Sequence, residues 1–357
     1  MGLVLINSID LVFPHAIPSE SLIAQWMLQH SSCQEMAGLK NGNAQAVTNS
    51  ALAQELERVL ENLPAAGKLL ENPEGQPDDL AHDAYFQVRR VENDEPAVFV
   101  RGVLTARLIL LKDVGEEAVT ISRDQLESID QAFADLLSCL RGGTVNSATL
   151  VTDWRLSDET PHAMKRWVRG HLIFAALTQG LIVSFRALGH ALRAGNVDEV
   201  RRWSDLSISL LNGSAGAFIF TGDFPPEEYE NVIRPSMTPP MSAIGLSGLM
   251  SADHRFMAQI MRDMRPALKS LAEQEPERHD RIAAAVSAVY DSHIHVCERF
   301  VGPRPSILTA GRTERSGPSL IEQFKTLRLK PFEHPQRALR LTANRQQAAL
   351  GQCPFQK

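Results

Sequence analysis

The sequence predicts a mainly α-helical protein with a small N-terminal α+β portion. The helical prediction depends on apolar residues that recur at spacings of three and four, the period of a helix with one face turned to a core, in residues 163–193, 252–272 and 279–301. Strand-like sequence is limited to one region, where residues 85–91 and 97–103 flank the turn-forming residues ENDEP and residues 104–111 continue the apolar run.

Chain order suggests three parts: an α+β portion over residues 1–115, a helical domain over 116–330 and a polar tail over 331–357. In the first part, helices are predicted near 19–30, where Ser19 is a candidate N-cap, and near 48–63. In the second part, helices are predicted at 122–140 and 197–211, and irregular segments at 213–254 and 302–319. Long connectors of this kind are often functional.

Charge and cysteine usage exclude several functional classes. The chain of 357 residues has a formal net charge of -6 and no Lys/Arg-rich run, so no nucleic-acid partner is expected. Its 4 cysteines are scattered, without a CxxC pair, which argues against a disulfide framework or a zinc ribbon. The helix at 163–193 is apolar nearly all round, but it contains Gln179 and Arg186, so we predict a core helix and not a membrane span. A cytoplasmic protein is expected, and a homodimer is left open.

The helix at 279–301 contains the first candidate site. His293 and Cys297 lie on its apolar face, one turn and about 6 Å apart. An imidazole and a thiol in this arrangement can serve one flat cofactor, with the imidazole on a central iron and the thiol on a ring substituent. A buried histidine beside a buried free cysteine is also ordinary core packing, so both interpretations stay open.

A second histidine, His254, lies on the apolar face of the helix at 252–272. If the helices at 252–272 and 279–301 are antiparallel about the turn EQEPE, then His254 and His293 lie level to within about 3 Å. Two facing histidines suit the two axial positions of a haem. Core packing is one alternative, and a zinc ion held by His254, His293 and Cys297 is another.

These elements resemble the tryptophan and indoleamine dioxygenase superfamily over about residues 200–320: a helix, a Gly/Pro-rich segment, the helix with RDMRPA, and then His293 on the next helix. The resemblance implies a helical haem domain of the tryptophan-dioxygenase type. It also implies that His293 is the proximal haem ligand and that the segment TAGRTERSGPS takes the place of the family's Gly/Thr/Ser-rich loop.

A more specific resemblance is to the haem-dependent 3-methyl-L-tyrosine hydroxylases of saframycin- and safracin-type biosynthesis, through His254 and the motif His293-Ile-His-Val-Cys297. It implies a c-type haem with a single thioether to Cys297, a proximal ligand at His293, and a distal histidine at His254 that ligates the iron at rest and later acts as acid and base. It also implies conversion of 3-methyl-L-tyrosine to 3-hydroxy-5-methyl-L-tyrosine with hydrogen peroxide.

An amino-acid substrate needs a cation for its carboxylate, and we name Arg234, Arg312 and Arg315 as candidates, although a solvated surface arginine is the more common role for each, because most arginines are exposed. Met250 and Phe218 are candidates for contact with the aromatic ring. Two other functions stay open. One is a dioxygenase acting on an indole amino acid, which would not need Cys297, and the other is a non-enzymatic haem protein with two axial histidines.

Overall fold

The computed structural model describes residues 8–30, 47–65, 67–70, 76–146, 152–238, 246, 251–304 and 316–333. Helices dominate these residues, as predicted. The helices are α1 (Glu20–Gln29), α2 (Asn49–Asn62), α3 (Pro77–Tyr85), α4 (Glu95–Glu116), α5 (Arg123–Leu140), α6 (Ala163–Ala194), α7 (Val197–Thr221), α8 (Ala252–Asp263), α9 (Arg265–Gln274), α10 (Pro276–Phe300) and α11 (Gly317–Leu329). A short helical segment at 226–236 contains one π turn, Tyr229–Ile233.

The strands are few and short. They are β1 (Ile9–Leu11), β2 (Val47–Thr48), β3 (Lys68–Leu69), β4 (Val88–Glu92) and β5 (Thr152–Asp153). Strand β4 is central in a three-stranded sheet, where it pairs parallel to β1, with Ile9 opposite Val88, and antiparallel to β3. Strands β2 and β5 form a separate parallel pair.

The prediction of strands at 97–103 and 104–111 is wrong, because these residues form α4. Asp94 adopts a left-handed conformation and its side chain accepts a hydrogen bond from Ala97 N, which caps the helix, and Pro96 lies in the first turn. Helix α4 is buried on most sides, and its partly exposed polar residues form only a narrow stripe through Arg101, Thr105, Lys112 and Glu116. Length is the signal that could have separated this helix from a strand.

Helix α6 is the centre of the fold and packs against α4, α7 and α8. It is long and apolar enough to cross a membrane by length and composition, and 89% of its apolar window is buried inside the protein. Burial on all faces is typical of a central core helix.

Three boundaries differ from the prediction. Helix α7 continues through GSAGAFIF to Thr221, where we expected an irregular segment. The glycines there serve close packing, because a Cβ at Gly216 would lie 2.9 Å from the Gln125 carbonyl oxygen of α5. The predicted helix at 252–272 is divided at Met264 into α8 and α9, since Pro266 cannot continue the hydrogen-bond ladder. Residues 317–319 were predicted to be irregular and no helix was predicted after them, but Gly317–Leu329 forms α11.

Helix α10 runs along α7 and brings the C-terminal half of the chain onto the core. Arg299 donates to the Gly222 and Phe224 carbonyl oxygens at 2.6 and 2.9 Å, beyond the end of α7, and Arg278 pairs with Asp205 near its middle. One apolar cluster extends from Ile9 to Phe332, so the predicted α+β portion and helical domain share a core. The boundary at residue 115 stays a prediction.

Candidate active site

Helices α6, α7, α8, α10 and α11 surround a cavity of about 230 Å³. Most of its wall is apolar or aromatic, and nearly all of the polar lining consists of histidines, hydroxyls, a thiol and one arginine. The structure brings together the three residues that the sequence singled out. The residues that can bind a metal or move a proton there are His82, His171, His254, His293 and Cys297.

His293 is held by an aromatic stack. Its ring lies 4.5 Å from the Phe218 ring at 15° between planes, and Phe218 in turn packs on Phe174 with centroids 4.6 Å apart. Burial lowers the pKa of His293 to about 4. The imidazole is therefore neutral at neutral pH, which is the form that ligates a metal.

His254 is held by a buried polar network at the start of α8. Ser251 caps the helix by accepting a hydrogen bond from His254 N at 3.3 Å. The next residue back, Asp253, accepts from Arg90 Nη2 at 2.7 Å and from Gln179 Nε2 at 2.8 Å. Burial, and after it the positive charge of Arg328, lowers the pKa of His254 to about 3. This imidazole is also neutral.

Arg90 connects this network to the N-terminal sheet. Its guanidinium also binds Asp83, at 2.7 and 3.1 Å, and the Val12 carbonyl oxygen at 2.9 Å. Burial alone would lower the pKa of Arg90, but the carboxylates of Asp253 and Asp83 raise it above its ordinary value. The ion pairs thus keep their charges in the protein interior.

Cys297 is a free, half-buried cysteine on the cavity wall. Burial, with a smaller contribution from Glu298, raises the pKa of the Cys297 thiol to about 11. The side chain is a neutral thiol at neutral pH and has no disulfide partner among the described residues. It is therefore available for a covalent bond to a cofactor.

The sequence did not single out His171. It stacks on Phe86, with ring centroids 3.9 Å apart, and lines the cavity. Its Nδ1 lies 2.8 Å from the Trp167 carbonyl oxygen, which can only accept, so Nδ1 carries the proton. Nε2 is then a hydrogen-bond acceptor.

His171 lies close to two other histidines of the cavity. Burial, with smaller contributions from the nearby His82 and His293, lowers the pKa of His171 to about 3. Because α6 is apolar on nearly all faces, the sequence alone did not show that His171 faces the cavity. The spacing of His171 from Trp167 and Phe174, which also line the cavity, was an available signal.

A second missed residue is Arg328 of α11, which lines the cavity. Its Nε is buried and has no hydrogen-bond partner. Burial raises the pKa of Tyr290, and the Arg328 guanidinium beside the phenol offsets part of that rise. The polar composition of residues 317–329 concealed the helix, and with it this arginine.

The predicted substrate residues have mixed placements. Phe218 lines the cavity, as predicted for a residue that meets an aromatic ring. Arg234 lies in the helical segment next to the cavity but does not line it, and its Nη1 is buried without a partner. Arg312, Arg315 and Met250 lie outside the described residues.

The lining fits a flat apolar cofactor better than a chelated ion. No group of three or more His, Cys, Asp or Glu side chains in the described part of the chain converges as metal ligands do, which removes the support for a zinc site. The cavity provides what a haem needs: two neutral imidazoles on different helices, a neutral thiol one turn from one of them, and aromatic walls. The unpartnered Arg328 Nε adds a cationic group of the kind that haem carboxylates bind.

The fold and cavity together define a helical protein with a histidine- and cysteine-lined pocket suited to a flat redox cofactor. A model of the SfmD 3-methyl-L-tyrosine peroxygenase family matches residues 10–281, and the chain belongs to this family. The matched range includes His254 and ends before His293 and Cys297.

Two individual comparisons agree with this assignment. A 3-methyl-L-tyrosine peroxygenase from Streptomyces lavendulae is 36% identical over 168 residues, which is 47% of this chain and 46% of the relative, so the match spans about half of that protein. The crystal structure of SfmD reduced by soaking with sodium hydrosulfite superposes with a TM-score of 0.69, covering 81% of this chain and 96% of the other at 24% identity. This likeness confirms the mainly helical fold.

Proposed function

We propose that this protein is a haem-dependent peroxygenase that hydroxylates 3-methyl-L-tyrosine to 3-hydroxy-5-methyl-L-tyrosine with hydrogen peroxide, a step of tetrahydroisoquinoline antibiotic biosynthesis. The observation that carries the proposal is the meeting of His254, His293 and Cys297 on one apolar cavity in a member of the peroxygenase family. A cytoplasmic location belongs to the same proposal, and a homodimer stays open.

In this proposal His293 is the proximal ligand and Cys297 is the attachment point. The Phe218 stack orients the His293 ring, and ligand orientation is one of the means by which a protein tunes a haem. Cys297 would hold the group covalently: its S–H would add across one vinyl substituent, with the sulfur bonded to one vinyl carbon and the hydrogen to the other, so no oxidant would be consumed. When bound, haem supplies the iron at which peroxide is activated.

His254 is the distal histidine. Its neutral imidazole would hold the iron in the resting protein and would have to be released before peroxide is bound. Once free, it can take the proton of the attacking peroxide oxygen and return it to the departing one, which is general acid–base catalysis. The Asp253 network fixes the start of α8, so displacement of His254 is limited to its side chain.

The substrate phenol has an acceptor in His171. Because the Trp167 carbonyl oxygen fixes the proton on Nδ1, Nε2 can accept a hydrogen bond from the phenol O–H. This contact would hold the electron-rich ring next to His171, which stacks on Phe86 in the wall of the cavity. Arg234, Arg312 and Arg315 remain the sequence-based candidates for the substrate carboxylate.

Denaturing mass spectrometry with a haem-stained gel tests cofactor attachment. We expect a mass increase of one haem that survives denaturation, disappears in Cys297→Ala and persists in the control Cys139→Ala, since Cys139 is buried away from the cavity. Extractable haem would shift the assignment to a dioxygenase-like enzyme, and absence of haem would overturn the proposal.

Product analysis tests the reaction itself. Incubation with 3-methyl-L-tyrosine and hydrogen peroxide should give a product heavier by one oxygen atom, and ¹⁸O-labelled peroxide should label it. Bound haem without any oxygenated product would favour the non-enzymatic haem protein. Oxygenation of an indole amino acid by dioxygen would favour the dioxygenase.

A further inference from the structure

Arg328 is a half-buried cation without a counter-ion among the described residues. Its Nε is buried and has no hydrogen-bond partner in the described part of the chain, and the residue lines the cavity that also contains His254. A guanidinium keeps its charge in a protein, so burial of this edge does not neutralise it. A charged group that is partly removed from water in this way is normally paired.

The neighbouring acids do not pair with Arg328. Lys325, one turn earlier on α11, binds Asp291 of α10 at 2.6 Å. Glu322 is exposed on the outer side of α11, and no ion pair in the described part of the chain includes Arg328. The group beside Arg328 is the Tyr290 phenol, whose pKa burial raises, so it is neutral and does not balance the charge.

We propose that Arg328 binds a carboxylate inside the cavity and is the anion-recognising residue of the site. The flat guanidinium matches a carboxylate through two parallel N–H···O bonds, which a single ammonium group cannot reproduce. On the proposed function, on which this inference rests, two molecules in the cavity contain that group: the haem, through its propionates, and the amino-acid substrate. Arg328 therefore replaces the loop arginines as the main candidate for carboxylate recognition.

The test uses Arg328→Gln in the haem-containing protein, with Lys325→Gln as the matched control on the same helix. Binding of 3-methyl-L-tyrosine and of its decarboxylated amine is measured by calorimetry, and the haem propionate bending bands are measured by resonance Raman spectroscopy. Loss of a hydrogen-bonded charge pair predicts about 10- to 100-fold weaker binding of the affected carboxylate.

Two outcomes support the inference and identify the source of the carboxylate. If Arg328 binds the substrate carboxylate, Arg328→Gln lowers the affinity for the amino acid about 10- to 100-fold. The affinity for the amine and the positions of the propionate bands stay unchanged. If Arg328 binds a haem propionate, the propionate bands shift in Arg328→Gln, and the affinities for the amino acid and the amine change by the same factor. Lys325→Gln should match the wild type in every measurement.

Unchanged ligand affinities and unchanged propionate bands in Arg328→Gln would overturn the inference and leave the proposed function intact. A wild-type protein that binds neither haem nor amino acid would remove both, and this is visible before any variant is made. Arg328→Lys, which keeps the charge and loses the planar fork, replaces Arg328→Gln if the latter does not fold. Its effects should have the same sign and be smaller.

Discussion

The two sides of the cavity hold their histidines by different physical means. His254 follows Asp253, a carboxylate that accepts hydrogen bonds from Arg90 and Gln179 in the protein interior. His293 instead lies against Phe218 in a stack that involves no charge. Both imidazoles are neutral because of burial, so the difference concerns positioning and not protonation.

This difference determines how much stability each side of the cavity loses when one of its residues is substituted. The attraction within a buried ion pair offsets the free energy needed to remove its charges from water only when every partner is present. Loss of one partner therefore leaves an uncompensated buried charge. An aromatic stack contributes less, and loses its contribution without a penalty of that kind. On the proposed function, His254 is the histidine that would leave the iron, and its side of the cavity has the ion-paired support, which would keep α8 in place while the side chain moves.

Loss of the carboxylate on the His254 side should have the largest effect. Asp253→Ala leaves Arg90 with Asp83 as its one remaining carboxylate and removes one of the two acceptors of Gln179 Nε2, the other being the Val12 carbonyl oxygen. We expect a loss of about 3 kcal/mol in the free energy of unfolding, the lower end for a broken buried pair, because Arg90 keeps one partner. Chemical denaturation measures it.

The control for this change is Asp263→Ala, at the exposed end of the same helix, where the carboxylate accepts only from Gln259. It should change stability by less than about 0.5 kcal/mol. Equal losses for the two variants would contradict the view that the buried network supports α8.

An intermediate effect is expected from Gln179→Leu, which keeps the charges and removes one donor. Asp253 then loses the 2.8 Å bond from Gln179, while the Val12 carbonyl oxygen keeps its bond from Arg90. An unsatisfied buried acceptor costs about 1–3 kcal/mol. Thermal unfolding beside Thr178→Val, which loses only a bond within its own helix, measures the difference. A smaller loss in Gln179→Leu than in Thr178→Val would contradict the network.

Helices with one exposed face were predictable from the sequence, whereas the mostly buried helix α4 was not. The helix of His293 and Cys297 was predictable because one of its faces meets solvent, which leaves a clear period of three and four. The cap of α1 at Ser19 and the capping box of α5 at Ser122 were equally readable, since such signals are local. Helix α4 exposes only a narrow polar stripe, so its apolar residues dominate the pattern and were mistaken for strands.

The site was predictable where chemistry and helical spacing coincide, and not where tertiary contacts decide. His254, His293 and Cys297 were found because their spacing on two helices defines a shared surface. His171 needed the knowledge that Trp167 occupies its Nδ1, and Arg328 needed the knowledge that no acid lies beside it. Asp253 and Arg90 are 163 residues apart, so no local pattern connects them.

The smallest effect on stability, and the clearest effect on geometry, should come from the His293 side. Phe218→Leu removes the stack on His293 and keeps an apolar side chain, so we expect a loss of about 0.5–1.5 kcal/mol. In the haem-containing protein the freed imidazole should adopt a wider range of ring orientations, seen as broadened g-values in the electron paramagnetic resonance spectrum of the ferric form. Phe174→Leu is the matched control, because Phe174 packs on Phe218 and has no stack on His293. Equal broadening in both variants would mean that α10, and not the Phe218 ring, orients His293.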